Sequence, residues 1–316
     1  MKRLDRRDAL ALMGATAVSA CASPALVTRD VPNDPFEGGI GGTGIVGTLT
    51  DFGSLRVNGL RVELVNSTRF VSAFGPTSVE ALAPGMSLTI FATQYKDRLL
   101  AHRVSADYAL IGKAVKGPQG RVTVNGVPVL PEQGAIGHLT VGQRVAISGA
   151  WSAQGQVASR IDPAAASHDL IAGDVTIGAQ GEVRVSGIPV HGAGTQPRAG
   201  EYAVATGQFL EGRFEADRFT RGRFSASAAL RQLSVEGFLE PAPNAPGFRV
   251  SGLGHSFAPD TRLQSLARRR AIYFGPYTGL FKAKAGYVMP ENLAARRRLL
   301  RPGFGEGFDG DVIATG

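Results

Sequence analysis

Near the start of the chain, apolar and polar residues alternate on both sides of a short turn. In residues 55–57 and 60–64 every second side chain is apolar, and Asn58-Gly59 separates the two runs. Alternation with a period of two is typical of a half-buried strand, and Asn-Gly accepts the positive φ angles of a type I′ turn. The pattern therefore predicts a β-hairpin.

The turn motif recurs three more times along the chain. Val-Asn-Gly-Leu at 57–60 is followed by Val-Asn-Gly-Val at 124–127, Val-Ser-Gly-Ile at 185–188 and Val-Ser-Gly-Leu at 250–253. The spacing is nearly constant, at roughly 60 to 70 residues, which indicates one small unit copied four times. We call these units repeats 1 to 4.

Each repeat has the same order of predicted strands. In repeat 1 they cover residues 44–50, 55–57, 60–64, 86–95 and 97–104, and a looser link joins the third strand to the fourth. Five short antiparallel strands with such a link favour a small closed or nearly closed barrel, because closure removes exposed strand edges. A flat, open array of hairpins is the alternative. A unit of this size is near the lower limit for an independent core, so neighbouring repeats are expected to share buried surface.

The predicted fold class is therefore all-β, with four tandem five-stranded barrels between an N-terminal lipoprotein signal and a short basic C-terminal helix. With 42 glycines and 18 prolines in 316 residues, the composition suits short strands and tight turns better than long helices. The predicted domains are a signal peptide at 1–20, a lipidated tether at 21–42, repeats 1 to 4 at 43–107, 108–168, 169–231 and 232–289, and a basic helix with a tail at 290–316.

The first residues have the features of a bacterial export signal. A basic start that includes Arg6-Arg7 precedes an apolar stretch at 9–18, which is too short to span a bilayer. The arginine pair partly matches a twin-arginine signal, and export by the general secretion route is the alternative.

Cys21 is the only cysteine of the chain, which excludes an intrachain disulfide and a cysteine-rich metal site. The residues before it, Val18-Ser19-Ala20, resemble a lipobox, in which the cysteine is lipidated. We therefore predict Cys21 as the lipid attachment site and place the folded part on the periplasmic face of the cell envelope. Because Ala22 rather than aspartate follows, the outer membrane is favoured over the inner membrane.

The net charge of +8 is concentrated near the C-terminal end. Residues 261–301 hold ten basic residues and a single acidic residue, Glu291. Within them, residues 290–301 begin with proline, carry their arginines late and end before Pro302-Gly303. That order predicts a short helix whose charges complement its dipole.

This basic end is the main functional lead. We predict an anion-binding surface that faces an anionic lipid, lipopolysaccharide or an acidic partner. The alternative is a helix that caps the last barrel and keeps its arginines in water. The cations assigned to the surface are Arg268, Arg269, Arg270, Lys282, Lys284, Arg296, Arg297, Arg298 and Arg301.

Four segments resemble the DUF5666 family, bacterial exported domains of unknown function that often occur in tandem. They are the glycine-rich stretch at 38–47, the turn at 57–59, Thr68-Arg69-Phe70 and Gly85-Met86-Ser87-Leu88. The resemblance covers most of residues 43–230 and is closest in repeats 1 and 2. It implies small OB-like β-barrels and an envelope location, and it brings no catalytic residues.

Other motifs lack the structural context that their chemistry needs. The pattern G-x-G-x-x-G at 42–47 is followed by a predicted strand, whereas a dinucleotide site requires a helix there. The sequence Gly-His-Ser-Phe-Ala at 254–258 lacks the last glycine of a nucleophile elbow. The five histidines have no metal-ligand spacing, although His191 and His255 follow their turns at similar distances.

Repetition without recurring catalytic residues predicts a non-enzymatic envelope lipoprotein that acts as a spacer or binding platform. One alternative is an enzyme acting on cell wall or polysaccharide, with His255 and Asp260 in a site near repeats 3 and 4. Another is a metal or oligosaccharide site in the barrel loops. No cofactor is expected, and export argues against a nucleic acid partner.

Overall fold

In the computed structural model of the chain, repeats 1 to 3 contain the type I′ turn that their motif predicts. The φ angles of Asn58 and Gly59 are 56° and 76°, and the same positive pair recurs at 125–126 and 186–187, as in a type I′ turn. In repeat 4 only Gly252 of the pair has a positive φ, of 70°. The structure describes residues 28–29, 42–51, 55–96, 98–165, 167–192, 194, 197–224, 230–241, 248–253, 266, 268–279, 281–283 and 285–300.

Strand pairing closes repeat 1 into a five-stranded ring. β2 pairs with β3, β3 with β4, β4 with β7, β7 with β6 and β6 with β2, and only β4 and β7 run parallel. A sheet closed in this way is a small five-stranded β-barrel. The strands up to this point are β1 (Thr28–Arg29), which pairs with β4, then β2 (Gly42–Asp51), β3 (Leu55–Val57), β4 (Leu60–Ser72), the two-residue β5 (Gly75–Pro76), β6 (Ser87–Tyr95) and β7 (Arg98–Asp107).

Repeats 2 and 3 close in the same order within one ten-stranded sheet. In each, the third and fifth strands are parallel and the other neighbours are antiparallel. The strands of repeat 2 are β8 (Leu110–Lys116), β9 (Val122–Val124), β10 (Val127–Ile136), β11 (Arg144–Ser152) and β12 (Gly155–Pro163). Those of repeat 3 are β13 (Asp169–Ile177), β14 (Val183–Val185), β15 (Ile188–His191), β16 (Tyr202–Leu210) and β17 (Arg213–Arg221).

Repeat 4 differs from the predicted fourth barrel. β18 pairs with β19 and β20, and β20 pairs with β21, so the described strands form an open sheet. The segment after the turn, where the other repeats have their third strand, lies outside the described residues. The structure therefore confirms an all-β fold with closed barrels, but not four of them. The elements are β18 (Leu230–Pro241), β19 (Phe248–Val250), β20 (Arg270–Pro276), β21 (Ala285–Val288) and α1 (Leu293–Leu299).

The repeats pair through their first strands and not end to end in chain order. β2 of repeat 1 runs parallel to β18 of repeat 4, and β8 of repeat 2 runs antiparallel to β13 of repeat 3. One apolar cluster fills both repeat 2 and repeat 3, and it includes Leu110, Ile147, Ile171 and Phe214. The expectation that small neighbouring units share buried surface is confirmed for this pair.

The side chain of the turn asparagine joins neighbouring repeats. Asn125 is 3 % exposed, and its Nδ2 donates to the carbonyl oxygens of Ile111 and Leu170, each at 2.9 Å. Ile111 belongs to the same repeat and Leu170 to the next, so one amide bridges β8 and β13. Gly112 makes room for it, because a Cβ at that position would lie 2.2 Å from Oδ1 of Asn125.

A turn asparagine also bridges repeats 1 and 4. Asn58 is fully buried, and its Nδ2 donates to the carbonyl oxygen of Val46 and to Oγ of Ser234, both at 3.0 Å. A Cβ at Gly47 would lie 2.0 Å from Oδ1 of this asparagine. In repeat 3 the shorter Ser186 donates to a carbonyl of its own repeat, that of Ala172, and to no other repeat within the described residues. Each pair of first strands is thus bridged by one asparagine, Asn125 between β8 and β13 and Asn58 between β2 and β18.

The helix predicted at 290–301 is shorter in the structure, where α1 covers Leu293–Leu299. Asn292 is its N-cap and accepts a hydrogen bond from the backbone N–H of Ala295 at 3.0 Å. Among the described residues, no helical segment has the length and apolar character that a membrane crossing needs. The predicted signal peptide lies outside the described residues.

Candidate functional site at the basic C-terminal end

The cations that the sequence assigns to an anion-binding surface do not share one environment. Arg268, Arg269, Lys282 and Arg298 are exposed. Arg297 is half-buried, and its Nε donates to the carbonyl oxygen of Thr50 at the end of β2 at 2.8 Å. Lys284, Arg301 and the predicted lipid attachment residue Cys21 lie outside the described residues.

Arg270 and Arg296 are interior residues, with 1 % and 0 % of their surface exposed. Arg296 of α1 forms a bidentate ion pair with Glu132 of β10, in which Nη2 donates to Oε1 at 2.8 Å and Nη1 donates to Oε2 at 3.2 Å. Its Nη1 also donates to the carbonyl oxygen of Pro290 at 3.0 Å. The helix is therefore attached to repeat 2 through a charged side chain.

Glu236 of β18 completes this arrangement. Its Oε1 lies 2.9 Å from Nη1 of Arg270 and 3.0 Å from Nε of Arg296, and its Oε2 accepts the backbone N–H of Thr48 at 2.7 Å. Nη2 of Arg270 is 3.1 Å from Oε2 of Glu132. We call Glu132, Glu236, Arg270 and Arg296 the buried ion-pair network.

The expectation that Arg270 and Arg296 belong to an exposed anion-binding surface is therefore wrong. Two carboxylates from different repeats balance the two guanidinium groups, and all four side chains are at most 2 % exposed. Charges of this kind are buried in proteins only when they are paired and hydrogen-bonded. The network joins repeats 1, 2 and 4 to α1, so its role is structural.

The network also controls the ionisation of Glu236. Burial opposes the charged form, but the guanidinium groups of Arg296 and Arg270 and the N–H of Thr48 outweigh it and lower the pKa from 4.5 to about 2. A carboxylate whose pKa is lowered by folding contributes stability above its unfolded pKa, and that contribution is lost as the pH falls towards the folded value.

We expect acid to destabilise the protein partly through Glu236. Between about pH 5 and pH 2, its contribution to the free energy of unfolding should fall by about 3 kcal/mol. Urea unfolding at a series of pH values, compared with Glu236→Gln, tests this. The variant is less stable throughout, but its stability should depend less steeply on acid.

Glu211→Gln is the matched control, because Glu211 is exposed in the turn between β16 and β17. Burial raises the pKa of Asp107 even though Arg223 lies beside it. Asp107 therefore favours the folded state in acid, the opposite of Glu236, and it is present in both variants. Equal slopes for the wild type and Glu236→Gln would contradict the assignment.

A cleft of about 420 Å³ lies where the turns of repeats 2, 3 and 4 meet. Asp174 and Arg249 line it, and Oδ2 of Asp174 accepts the backbone N–H of Gly252 at 3.0 Å and lies 3.5 Å from Nη1 of Arg249. Trp151, which is 7 % exposed, packs against Gly252, where a Cβ would lie 2.0 Å from Cδ1 of the indole. These contacts hold the turns together. An oligosaccharide site in the barrel loops remains a prediction.

The residues suggested for other chemistry are not brought together by the described part of the structure. His255 and Asp260 lie outside it. His191 is half-exposed, with Nδ1 3.9 Å from Oε1 of Glu215. Within the described residues, no group of three or more histidine, cysteine or acidic side chains is placed to hold a metal ion.

Sequence reasoning missed the acidic half of the ion-pair network. Glu236 is a lone acidic residue between apolar ones in the predicted first strand of repeat 4, and an isolated charge in such a run is the signal that could have marked it as buried. It also missed the glycine that makes room for the turn side chain. Gly47, Gly112 and Gly173 each precede a turn glycine at a similar distance.

Comparison with known proteins agrees with the sequence at one place. Residues 43–105, which cover nearly all of repeat 1, match the family model of DUF5666, a domain of unknown function. The resemblance proposed from the sequence is thereby confirmed for this segment. No curated protein and no solved structure matches the chain significantly.

Proposed function

We propose that the protein is a non-enzymatic binding platform of the bacterial cell envelope, attached through a lipid on Cys21. Its exposed C-terminal cations then bind the anionic surface of a membrane. The observation that carries the proposal is the position of Arg268, Arg269 and Arg298, which are exposed beside a helix and a strand that the buried ion-pair network fixes.

Three points support this assignment. Within the described residues Arg268, Arg269 and Arg298 form no ion pair, whereas the interior Arg270 and Arg296 each form ion pairs with both Glu132 and Glu236. Each cation that reaches an anionic membrane surface contributes about 1 kcal/mol. Because β1 pairs with β4, only residues 21–27 separate Cys21 from the folded body, and an extended chain of that length spans at most roughly 25 Å, which keeps the folded body close to the membrane.

Because of the buried ion-pair network, deleting the C-terminal end is not a suitable test of membrane binding. Deletion of residues 261–316 would remove Arg270 and Arg296 and leave the carboxylates of Glu132 and Glu236 buried without a guanidinium group. Loss of binding could then reflect unfolding. Substitution of exposed residues is the cleaner test.

We expect the Cys21→Ser protein to bind vesicles that contain anionic phospholipid and not vesicles of zwitterionic lipid alone. In this background, the triple variant Arg268→Gln, Arg269→Gln, Arg298→Gln should bind at least tenfold more weakly, because three uncompensated charges are lost. Vesicle co-sedimentation at low and physiological salt measures the effect.

The control is the triple variant Lys113→Gln, Lys116→Gln, Arg121→Gln. These residues are exposed in repeat 2, and their removal lowers the net charge by the same amount. Binding that falls equally in both triple variants would show a general charge effect and would contradict a specific C-terminal surface.

A further inference from the structure

A second cleft, of about 300 Å³, lies between repeats 1 and 3. Strands β4, β5 and β7 form one side, and β16, β17 and the residues after β17 form the other. Arg103, Arg218 and Arg223 line it, and Asp107 is the only carboxylate among the described lining residues. The lining therefore carries two more positive charges than negative ones.

Arg223 is the innermost of the three arginines, with 11 % of its side chain exposed. Its Nη1 donates to Oδ2 of Asp107 at 2.8 Å and to Oγ1 of Thr89 at 3.0 Å, and its Nη2 donates to the carbonyl oxygen of Gly252 at 3.1 Å. The guanidinium lies over the ring of Tyr202, 4.0 Å from its centroid. These contacts hold the guanidinium in one orientation where it lines the cleft.

Arg103 and Arg218 are exposed and belong to opposite sides of the cleft. Arg218 donates from Nη2 to the carbonyl oxygen of Ala73, which joins repeat 3 to repeat 1 across the cleft. Within the described residues, its other N–H groups donate to no acceptor. Two exposed cations and one interior cation thus face the same space.

Part of the lining of this cleft is apolar. Tyr108, Tyr202 and Val204 pack into the small apolar cluster between repeats 2 and 3. Burial raises the pKa of Tyr202 to about 12, with Arg223 acting against the rise, so its phenol is neutral at physiological pH. In surroundings of low polarity, an arginine binds an anion more strongly than it does in water.

We propose that this cleft binds a small organic anion of the size of one acidic sugar, through a carboxylate or phosphate group. Planar guanidinium groups match both anions with paired hydrogen bonds. A volume of about 300 Å³ is at the lower end for ligand pockets, which selects a single small unit. The hydroxyl groups of Thr206 and Thr220, which also line the cleft, suit the hydroxyl groups of a sugar. This site is separate from the C-terminal surface and does not depend on it.

Calorimetric titration of the full chain with glucuronate, glucose 1-phosphate, inorganic phosphate and glucose tests the proposal. Glucuronate, glucose 1-phosphate or both should bind, and glucose should not. Arg103→Gln and Arg218→Gln should each weaken binding about tenfold while the urea midpoint stays close to that of the wild type. Binding of only one of the two acidic sugars identifies the preferred acid group and supports the site.

Arg221→Gln is the matched control, because Arg221 is an exposed residue at the end of the same strand as Arg218 and pairs with Glu201 outside the cleft. It should bind like the wild type. Three results would overturn the proposal: no binding of either acidic sugar, equal binding of glucose, or equal losses in Arg218→Gln and Arg221→Gln. Inorganic phosphate binding alone, unaffected by Arg103→Gln or Arg218→Gln, would also overturn it.

Discussion

Glu132→Gln should lower the free energy of unfolding by about 3–5 kcal/mol, because it leaves two buried guanidinium groups with a single carboxylate. Oε1 of Glu132 contacts Arg296, and Oε2 contacts both Arg296 and Arg270. Glutamine has nearly the same shape, but its amide N–H₂ cannot accept a hydrogen bond from a guanidinium. Urea unfolding followed by circular dichroism and by the fluorescence of the single tryptophan, Trp151, measures the loss.

A double variant separates charge imbalance from loss of packing. Glu132→Leu with Arg296→Met removes one carboxylate and one guanidinium and leaves Glu236 paired with Arg270 at 2.9 Å. This pair of changes should cost less than Glu132→Gln alone, since no net charge remains buried. The exposed Glu211→Gln should change stability little. A double variant that is less stable than Glu132→Gln would show that the network does not act through charge balance.

Asn125→Ala should cost about 3 kcal/mol, the second large effect expected from the structure. The substitution leaves the carbonyl oxygens of Ile111 and Leu170 without the amide that bridges them, and each buried group left unpaired costs about 1–3 kcal/mol. Asn125→Asp should be at least as harmful, because a carboxylate presents oxygen atoms to both carbonyls. Urea unfolding gives the size of the loss, and amide hydrogen exchange in β8 and β13 shows whether it is local to that junction.

Gln119→Ala is the control for backbone conformation. Gln119 has a φ of 59°, close to the 50° of Asn125, but it is exposed in a turn between β8 and β9. It therefore reports the effect of alanine at positive φ without the loss of buried hydrogen bonds. Equal destabilisation by Gln119→Ala and Asn125→Ala would mean that the amide does not hold the two repeats together.

The hairpins were predictable because they depend on local rules. A period-two pattern around Asn-Gly requires nothing from the rest of the chain, and the structure has positive φ at both positions of the turn at 58–59. The closed ring of repeat 1 follows from five such short strands that need partners. The fold of repeat 4 was harder to predict, because the alternation of apolar and polar residues becomes irregular after Gly252. Its described strands form an open sheet and not a closed barrel.

The basic end shows where pattern reasoning reached its limit. Arg268, Arg269 and Arg270 are consecutive in sequence, yet the first two are exposed and the third is buried. A run of like charges is usually solvated, and nothing in the local sequence marks one member as different. The difference arises because Glu132 and Glu236 lie far away along the chain and meet Arg270 only after folding.

The sequence by itself determined the repeat, the tight turns, the all-β class and the resemblance of repeat 1 to DUF5666, because each depends on residues that are close together in the chain. The tertiary structure alone decided which first strands pair, which arginines are interior and where three arginines share a cleft. Those features depend on groups from different repeats, such as Asn125 with Leu170 or Arg296 with Glu132. The energy of burying a polar group depends on the partner it finds, and the partner is set by the packing of whole units.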